Sequence, residues 1–314
     1  MDCGLESQVE GGPKKVNTAM STQKAAVFAE MVLPRRPGLL RRLSRHRLAV
    51  GGIVLLLIVL AAAILAPWIC PHDYRGVELC QSLLPPSHDH WLGTDIYGRD
   101  LLSRIIWGGR VSLMVAFFAV GVGLLIGGIV GAVTAYVGGI VDIVGMRLVE
   151  IFGAIPSLYL MLLLIGIFGS GTLMTIIAIG LTFWTGASRI LRAEILSIKE
   201  RDFVLAARVL GVKPFWLVVR HILPNALSPL IVQATLFSAS AIIMEAGLSF
   251  LGLGVQPPTP SWGSILSEGR RELLVAPWVS TFPGFAIFFT VIGLNMVGDG
   301  LRDALDPRQI VGRV

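Results

Sequence analysis

Apolar runs long enough to cross a bilayer recur along most of this chain, and they constrain its fold more than any other feature. A hydrocarbon core of roughly 30 Å takes about 20 apolar residues as helix. Lipid offers backbone groups no partner, so each such run has to satisfy its own hydrogen bonds. Candidate spans run from Ala49 to Ala66, closed at the interface by Pro67 and Trp68, then from about Val111 to Val137. The third covers Val144 to Phe168, interrupted at Pro156, and the fourth Leu173 to Ala187. Gly169-Ser170-Gly171 between them suffices only for a turn. Merging the two would give about 40 residues, more than tilt can accommodate. Leu227 to Leu251 and Phe282 to Val297 complete the set, so the expected fold is all-α, with about six transmembrane helices. At 54% hydrophobic and 15% charged residues, the composition excludes an ordinary soluble domain.

The net charge of +6 could suggest a nucleic-acid partner, but its distribution follows topology instead. Six spans put both termini on one side. That side then carries most of the Lys and Arg: residues 1–47, Arg147, the loop from Arg189 to Arg220, and the C-terminal arginines. The other side keeps Arg75, Arg99, Arg104, Arg110, Arg270 and Arg271. The positive-inside rule therefore places both termini and a 188–225 loop in the cytoplasm and a 67–110 loop outside, with no nucleic acid expected. Residues 1–34 read as a disordered cytoplasmic tail without a signal-peptide run, with Met20 and Met31 as alternative starts. Residues 35–47 interleave arginines with Leu39, Leu40 and Leu43, which suits a basic amphipathic segment on anionic lipid; a six-span domain follows over 48–314.

One polar, basic island breaks the apolar pattern, from Phe203 to Asn225. Its layout predicts two short helices around a break. Ala206 and Ala207 remove bulk so that a partner can approach, Gly211 permits the turn, Pro214 suits a first helical turn, and Pro224 begins the next segment. Residue types alone leave open a plain surface helix pair or a docking element.

Elsewhere, Gly123, Gly127 and Gly131 recur at intervals of four, a face for close helix packing; bulk at Gly127 is expected to weaken assembly of a membrane complex. Glu245 lies inside a span, where a carboxylate is costly. It is either a pathway group or a structural residue hydrogen-bonded to neighbouring helices. In the segment from His90 to Leu113, Gly93 and Gly98 supply turns, Thr94 and Asp95 satisfy local donors, and Asp100 caps a helix beginning at Leu101. Cys70 and Cys80 share the outside loop at a separation that can close a disulfide, or stand as two free thiols. His88-Asp89-His90 reads as exposed histidines in a polar loop, and no metal site is expected. Ser249 has no histidine within any span to act as its base, so no catalytic residue is expected. The sequence has no Gly-x-x-x-x-Gly-Lys-Ser/Thr loop for nucleotide phosphates and no internal repeat of the secondary-transporter kind.

The spacing Ala206-Ala207, Gly211, His221-x-Leu223-Pro224 resembles the EAA loop of ABC importer permeases, with Leu205 where that family usually has Glu. His90 to Leu113, Glu245 to Gly254, Pro260-Ser261-Trp262-Gly263 and Asn295 to Arg308 resemble the C-type permease subunit of dipeptide, oligopeptide and nickel importers. The resemblance covers about Arg41 to Arg308. It implies a type I ABC importer permease fold and a pore-forming subunit for peptides, or for nickel or another chelate-like solute. ATPase coupling would fall to Leu205, Ala206, Ala207, Arg208, Gly211, Lys213, Pro214, His221 and Pro224. Gly93, Thr94, Asp95, Gly98, Arg99 and Asp100 would form an outside loop or gate; Glu245, Asn295 and Asp299 would join the glycines in the pathway or in helix packing. Implied partners are a homologous second permease, one or two cytoplasmic ATPases holding ATP and Mg, an external substrate-binding protein and membrane lipid. No cofactor is expected on the chain itself.

Overall fold

The computed structural model describes residues 43–44 and 46–305, and its regular structure is helical. The expected 1–34 tail, most of the 35–47 basic segment and Arg308 lie outside the described residues. Helix α1 (Arg47–Ile69) opens where the His46 ring nitrogen accepts the Ala49 N–H at 3.2 Å. Helix α2 (Leu101–Val137) begins well before its apolar run, because the Asp100 carboxylate accepts the N–H and the hydroxyl of Ser103 at 2.8 and 2.7 Å. At the other end of α2, the Lys199 ammonium donates to the Tyr136 carbonyl at 3.1 Å.

The third span departs from the expected shape. It forms two helices, α3 (Gly139–Gly153) and α4 (Ser157–Phe168), bent by 86° at the break. Pro156 has no N–H to continue the ladder, and the residue before a proline is pushed toward extended backbone. Helix α5 (Thr172–Lys199) runs beyond the apolar stretch ending at Ala187 because Leu191, Ile195 and Ile198 carry a buried stripe onward. Helix α6 (Asp202–Val209) is followed by α7 (Pro214–Phe250), α8 (Trp262–Gly269) and α9 (Trp278–Leu305). Among the described residues, five helices are long and apolar enough to span a membrane, and the bent pair makes a sixth if counted as one span.

The glycine face packs inside the chain, against α5. A Cβ at Gly123 would meet the Phe183 Cβ at 2.7 Å, one at Gly127 the Trp184 carbonyl at 2.5 Å, and one at Gly131 the Ser188 carbonyl at 2.6 Å. The expectation that this face serves assembly with a partner is thereby corrected: its neighbour is the chain's own helix. Around that seam lies a core of Val115, Ala119, Ile179, Phe183, Ile242 and Trp262, with the Phe183 and Phe237 rings stacked at 4.5 Å. A second cluster, of Leu191, Ile195, Val204, Ala207, Leu217 and Ile222, lies toward the far end of α2, where it takes in Ala135. Helix α1 buries little beyond Ala49, Gly52, Ala63 and Ala66, and its Leu57, Ile58 and Ile64 remain exposed, as lipid-facing residues do.

Candidate functional site

The helix-turn-helix forms with a helix stop of defined geometry. After α6, Gly211 takes φ +80°, its N–H donates to the Arg208 carbonyl, and the Val212 N–H reaches the Ala207 carbonyl at 3.2 Å. This pairing closes a helix C-terminus on a left-handed residue, and glycine is the residue that adopts that φ without strain. Pro214 then starts α7. Val204 and Ala207 bury one face of α6 against Leu217 and Ile222. Ala207 is therefore packed into the chain's own body and is not a contact offered outward; Ala206, Leu205, Arg208, Gly211 and Lys213 are exposed. So are Val209 (87%), Leu210 (83%), Phe215 (70%) and Trp216 (54%).

Pro224 does not begin a separate segment. Helix α7 runs through it, widened into a π-helical stretch at Leu217–Ile222, with the Leu223 N–H reaching back to the Val218 carbonyl. Proline supplies no donor for the preceding turn, and the wider turn leaves room for its ring. Half-buried His221 lies in that stretch, and the Asn225 amide donates to its carbonyl at 2.7 Å.

At the other end of α7, Glu245 is fully buried. The Ser249 hydroxyl donates to one carboxylate oxygen at 2.7 Å, and the Ser112 hydroxyl of α2 donates to the other at 3.0 Å. Ser112 in turn accepts the Trp262 N–H at 3.2 Å, and Ser249 accepts the Val255 N–H at 3.2 Å. Of the two roles open from the sequence, this geometry displays the structural one: Glu245 ties α2, α7 and the start of α8 together. Neither Ser112 nor Trp262 could be assigned that contact from sequence, since the partners lie far apart along the chain.

Segment 70–100 folds over the start of α2. Gly98 has φ +72°, and a Cβ there would fall 1.9 Å from the Glu78 carbonyl, so the chain admits nothing larger. Thr94, Asp95, Arg99 and Asp100 are buried, and Gly93 closes against Trp278. Arg99 donates to Asp95 at 2.6 Å and to Glu268 of α8 at 2.7 Å, while buried Arg104 donates to both Asp95 and Glu268. Two guanidinium groups thus face two carboxylates, the balance that makes buried charge tolerable. Arg104 and Glu268 went unrecognised in the sequence; Arg104 counted there only toward topology, and Glu268 sits just past the Pro260-to-Gly263 motif.

Cys70 and Cys80 are free thiols in the structure, the second of the two alternatives open from the sequence. The Cys70 sulfur contacts the Ser103 carbonyl at 3.8 Å, and burial pushes its thiol above the ordinary range. Asn295 and Asp299 are exposed on α9 and do not join the Glu245 cluster.

A helical membrane body with one broken span, carrying a short helix-turn-helix whose apolar residues are uncovered, is the architecture of an ABC importer permease. Its fold is similar to that of a chain in the inward-facing MetNI methionine ABC transporter, with a TM-score of 0.54 at 20% identity, over 66% of this chain and 96% of that one. Residues 123–311 match the family described as binding-protein-dependent transport system inner membrane component, and residues 39–86 match the N-terminal TM domain of oligopeptide transport permease C. The chain belongs to the binding-protein-dependent transport system inner membrane component family. It is 41% identical to the dipeptide transport system permease protein DppC of Alkalihalophilus pseudofirmus, over 85% of this chain and 88% of that one. To the oligopeptide transport system permease protein OppC of Haemophilus influenzae it is 40% identical, over 85% and 87%.

Proposed function

We propose that this chain is a pore-forming permease subunit of an ATP-driven importer for di- or oligopeptides, paired with a homologous permease. ATP and Mg are held by cytoplasmic ATPase subunits, and an external binding protein presents the solute. The chain itself catalyses no reaction, and both termini face the cytoplasm. The observation that carries this reading is the docking loop: Val204 and Ala207 fasten α6 to the body, while Val209, Leu210 and Phe215 stand clear of it. Exposed large apolar residues grouped on a charged loop mark a surface that a partner covers. An ATPase that grips this loop differently when open and when closed on ATP biases the permease between two arrangements. Because α7 is continuous from Pro214 to Phe250, motion of the loop is delivered to the helix that holds Glu245.

The test uses the complete importer reconstituted in proteoliposomes. Leu210→Asp and Phe215→Asp place charge on the exposed face without touching the buried one. Both should leave insertion and binding-protein docking intact and lower solute-stimulated ATP hydrolysis and uptake together. Gly211→Val, strained at φ +80°, should act in the same direction. Ala207→Asp is a poorer probe, because it charges the chain's own core. Full uptake by properly inserted Leu210→Asp and Phe215→Asp proteins would refute the coupling role of the loop.

A further inference from the structure

The structure brings together three side chains that the sequence scatters: His72, just past the end of α1, His90 in the loop, and Asp100 at the start of α2. Their ligand atoms all lie within 4.8 Å of one another. The Asp100 Oδ1 is 3.0 Å from the His90 Nδ1 and 3.8 Å from the His72 Nδ1. His90 and Asp100 are buried, whereas the His72 side chain is 43% exposed.

The hydrogen bonds around these groups define what can lie between them. The other oxygen of Asp100 is taken by the N–H and hydroxyl of Ser103, which leaves Oδ1 aimed at the two rings. The His90 Nε2 faces the Gln81 side-chain oxygen at 2.8 Å, an acceptor, which favours the tautomer with its proton on Nε2. In that tautomer the Nδ1 lone pair faces a carboxylate oxygen at 3.0 Å, two acceptors face to face. Either a proton on Nδ1 or a metal ion between the two atoms relieves that contact. A metal-bound imidazole whose second nitrogen donates to an oxygen, and a metal-bound carboxylate whose second oxygen is held by donors, is the usual outer arrangement of a metal centre.

We propose that His72, His90 and Asp100 bind a divalent transition-metal ion, with Zn²⁺ the best suited. Bond lengths of about 2.0–2.1 Å in a tetrahedron separate neighbouring ligand atoms by about 3.3 Å. The two edges to Asp100, 3.0 and 3.8 Å, bracket that value, and the full set spreads to 4.8 Å, so the rings must close in on the ion. The His72 backbone is held by its N–H to the Ser103 hydroxyl at 3.3 Å, while its exposed ring can turn to close the longer edge. The fourth position opens on a polar cavity of about 660 Å³ lined by Glu78, Gln81 and His88, where water completes the shell. The ion staples the 70–100 segment to the first turn of α2, at the opposite end of that helix from the docking loop.

Full-length protein, purified in detergent and stripped with chelator, is titrated with Zn²⁺ against a chromophoric competitor, and Co²⁺ substitution reads the geometry by its visible absorption. One equivalent of Zn²⁺ should bind, Co²⁺ should give a tetrahedral-type spectrum, and Zn²⁺ should raise the melting midpoint. His72→Ala, which alters an exposed ring, should weaken binding by more than about 10-fold, the loss that removal of an outer partner alone produces, and should abolish the thermal shift. Asp100→Asn keeps an acceptor for the helix start and should weaken binding likewise. His88→Ala should bind as the unaltered chain does. Equal Zn²⁺ affinity in His72→Ala and the unaltered chain would overturn the site, as would failure to retain any equivalent. The cation between His90 and Asp100 would then be a proton.

Discussion

Gly127→Ala adds one methyl group where α2 and α5 touch, and the structure sets its size of effect. The new Cβ would sit 2.5 Å from the Trp184 carbonyl oxygen, 2.6 Å from the Ala187 Cβ and 3.0 Å from the Ser188 nitrogen. Carbon atoms at rest lie about 3.5–4.0 Å apart, so the two helices must part by about 1 Å. Two of the three obstacles are backbone, which cannot turn aside as a side chain does. Overpacking of this kind costs about 1–3 kcal/mol, and parting the seam also loosens the contacts at Gly123 and Gly131 on either side. Gly121→Ala is the matched control: it lies on the same helix with nothing within 4 Å, and it isolates the helix-propensity gain of up to about 1 kcal/mol. The propensity gain is common to both variants, so Gly127→Ala should be less stable than Gly121→Ala by the overpacking cost, about 1–3 kcal/mol. At about 2–4 °C per kcal/mol, its midpoint falls by roughly 2–12 °C below that of Gly121→Ala in a detergent thermal melt. The deficit should appear in the isolated chain, before any partner is added. Equal melting of the two variants, with a deficit only when the assembled complex is assayed, would show that the glycine seam faces another subunit.

Glu245→Leu removes the acceptor of two buried hydroxyls and should cost about 1–3 kcal/mol, whereas Glu245→Gln keeps an acceptor and should transport normally. A stable Glu245→Gln protein without uptake would restore the pathway role. Arg104→Ala strips a buried cation from Asp95 and Glu268 and should destabilise the chain by about 3–5 kcal/mol in a denaturant titration, a change under about 1 kcal/mol contradicting the cluster. Without reductant, a maleimide should label both Cys70 and Cys80, exposed Cys80 faster; because burial raises the Cys70 thiol, its labelling should accelerate as the pH rises above neutral. Protection of both thiols until reductant is added would reinstate the disulfide.

Much of the fold was legible because the signals were local. Runs of apolar residues mark the spans, and Asp100 announces the start of α2 ahead of its apolar run. Pro156 marked the break in the third span, but the 86° bend depends on what each half packs against, which a single segment does not carry. In the helix-turn-helix, Gly211 and Pro214 were readable as turn and helix start, while the inward turn of Ala207 was obscured by its neighbour. The useful clue was Val204 three residues earlier, which places Ala207 on the buried face and leaves Leu205 and Ala206 outward. The ionic cluster was not legible at all, since Arg104 and Glu268 lie 164 residues apart and nothing in either neighbourhood names the other.

The π-helical stretch in α7 has a mechanical consequence of its own. At 1.5 Å per residue, the 37 residues from Pro214 to Phe250 form a rod about 55 Å long, with the helix-turn-helix at one tip and the Glu245 knot near the other. A wide turn stores surplus chain in that rod, close to the loop. Drawing one stored residue into regular α-helix would screw the remainder around by about 100° and along by about 1.5 Å. A pull at the loop tip could thus be converted into rotation at the distant carboxylate, and Leu217–Ile222 is where that thread is cut.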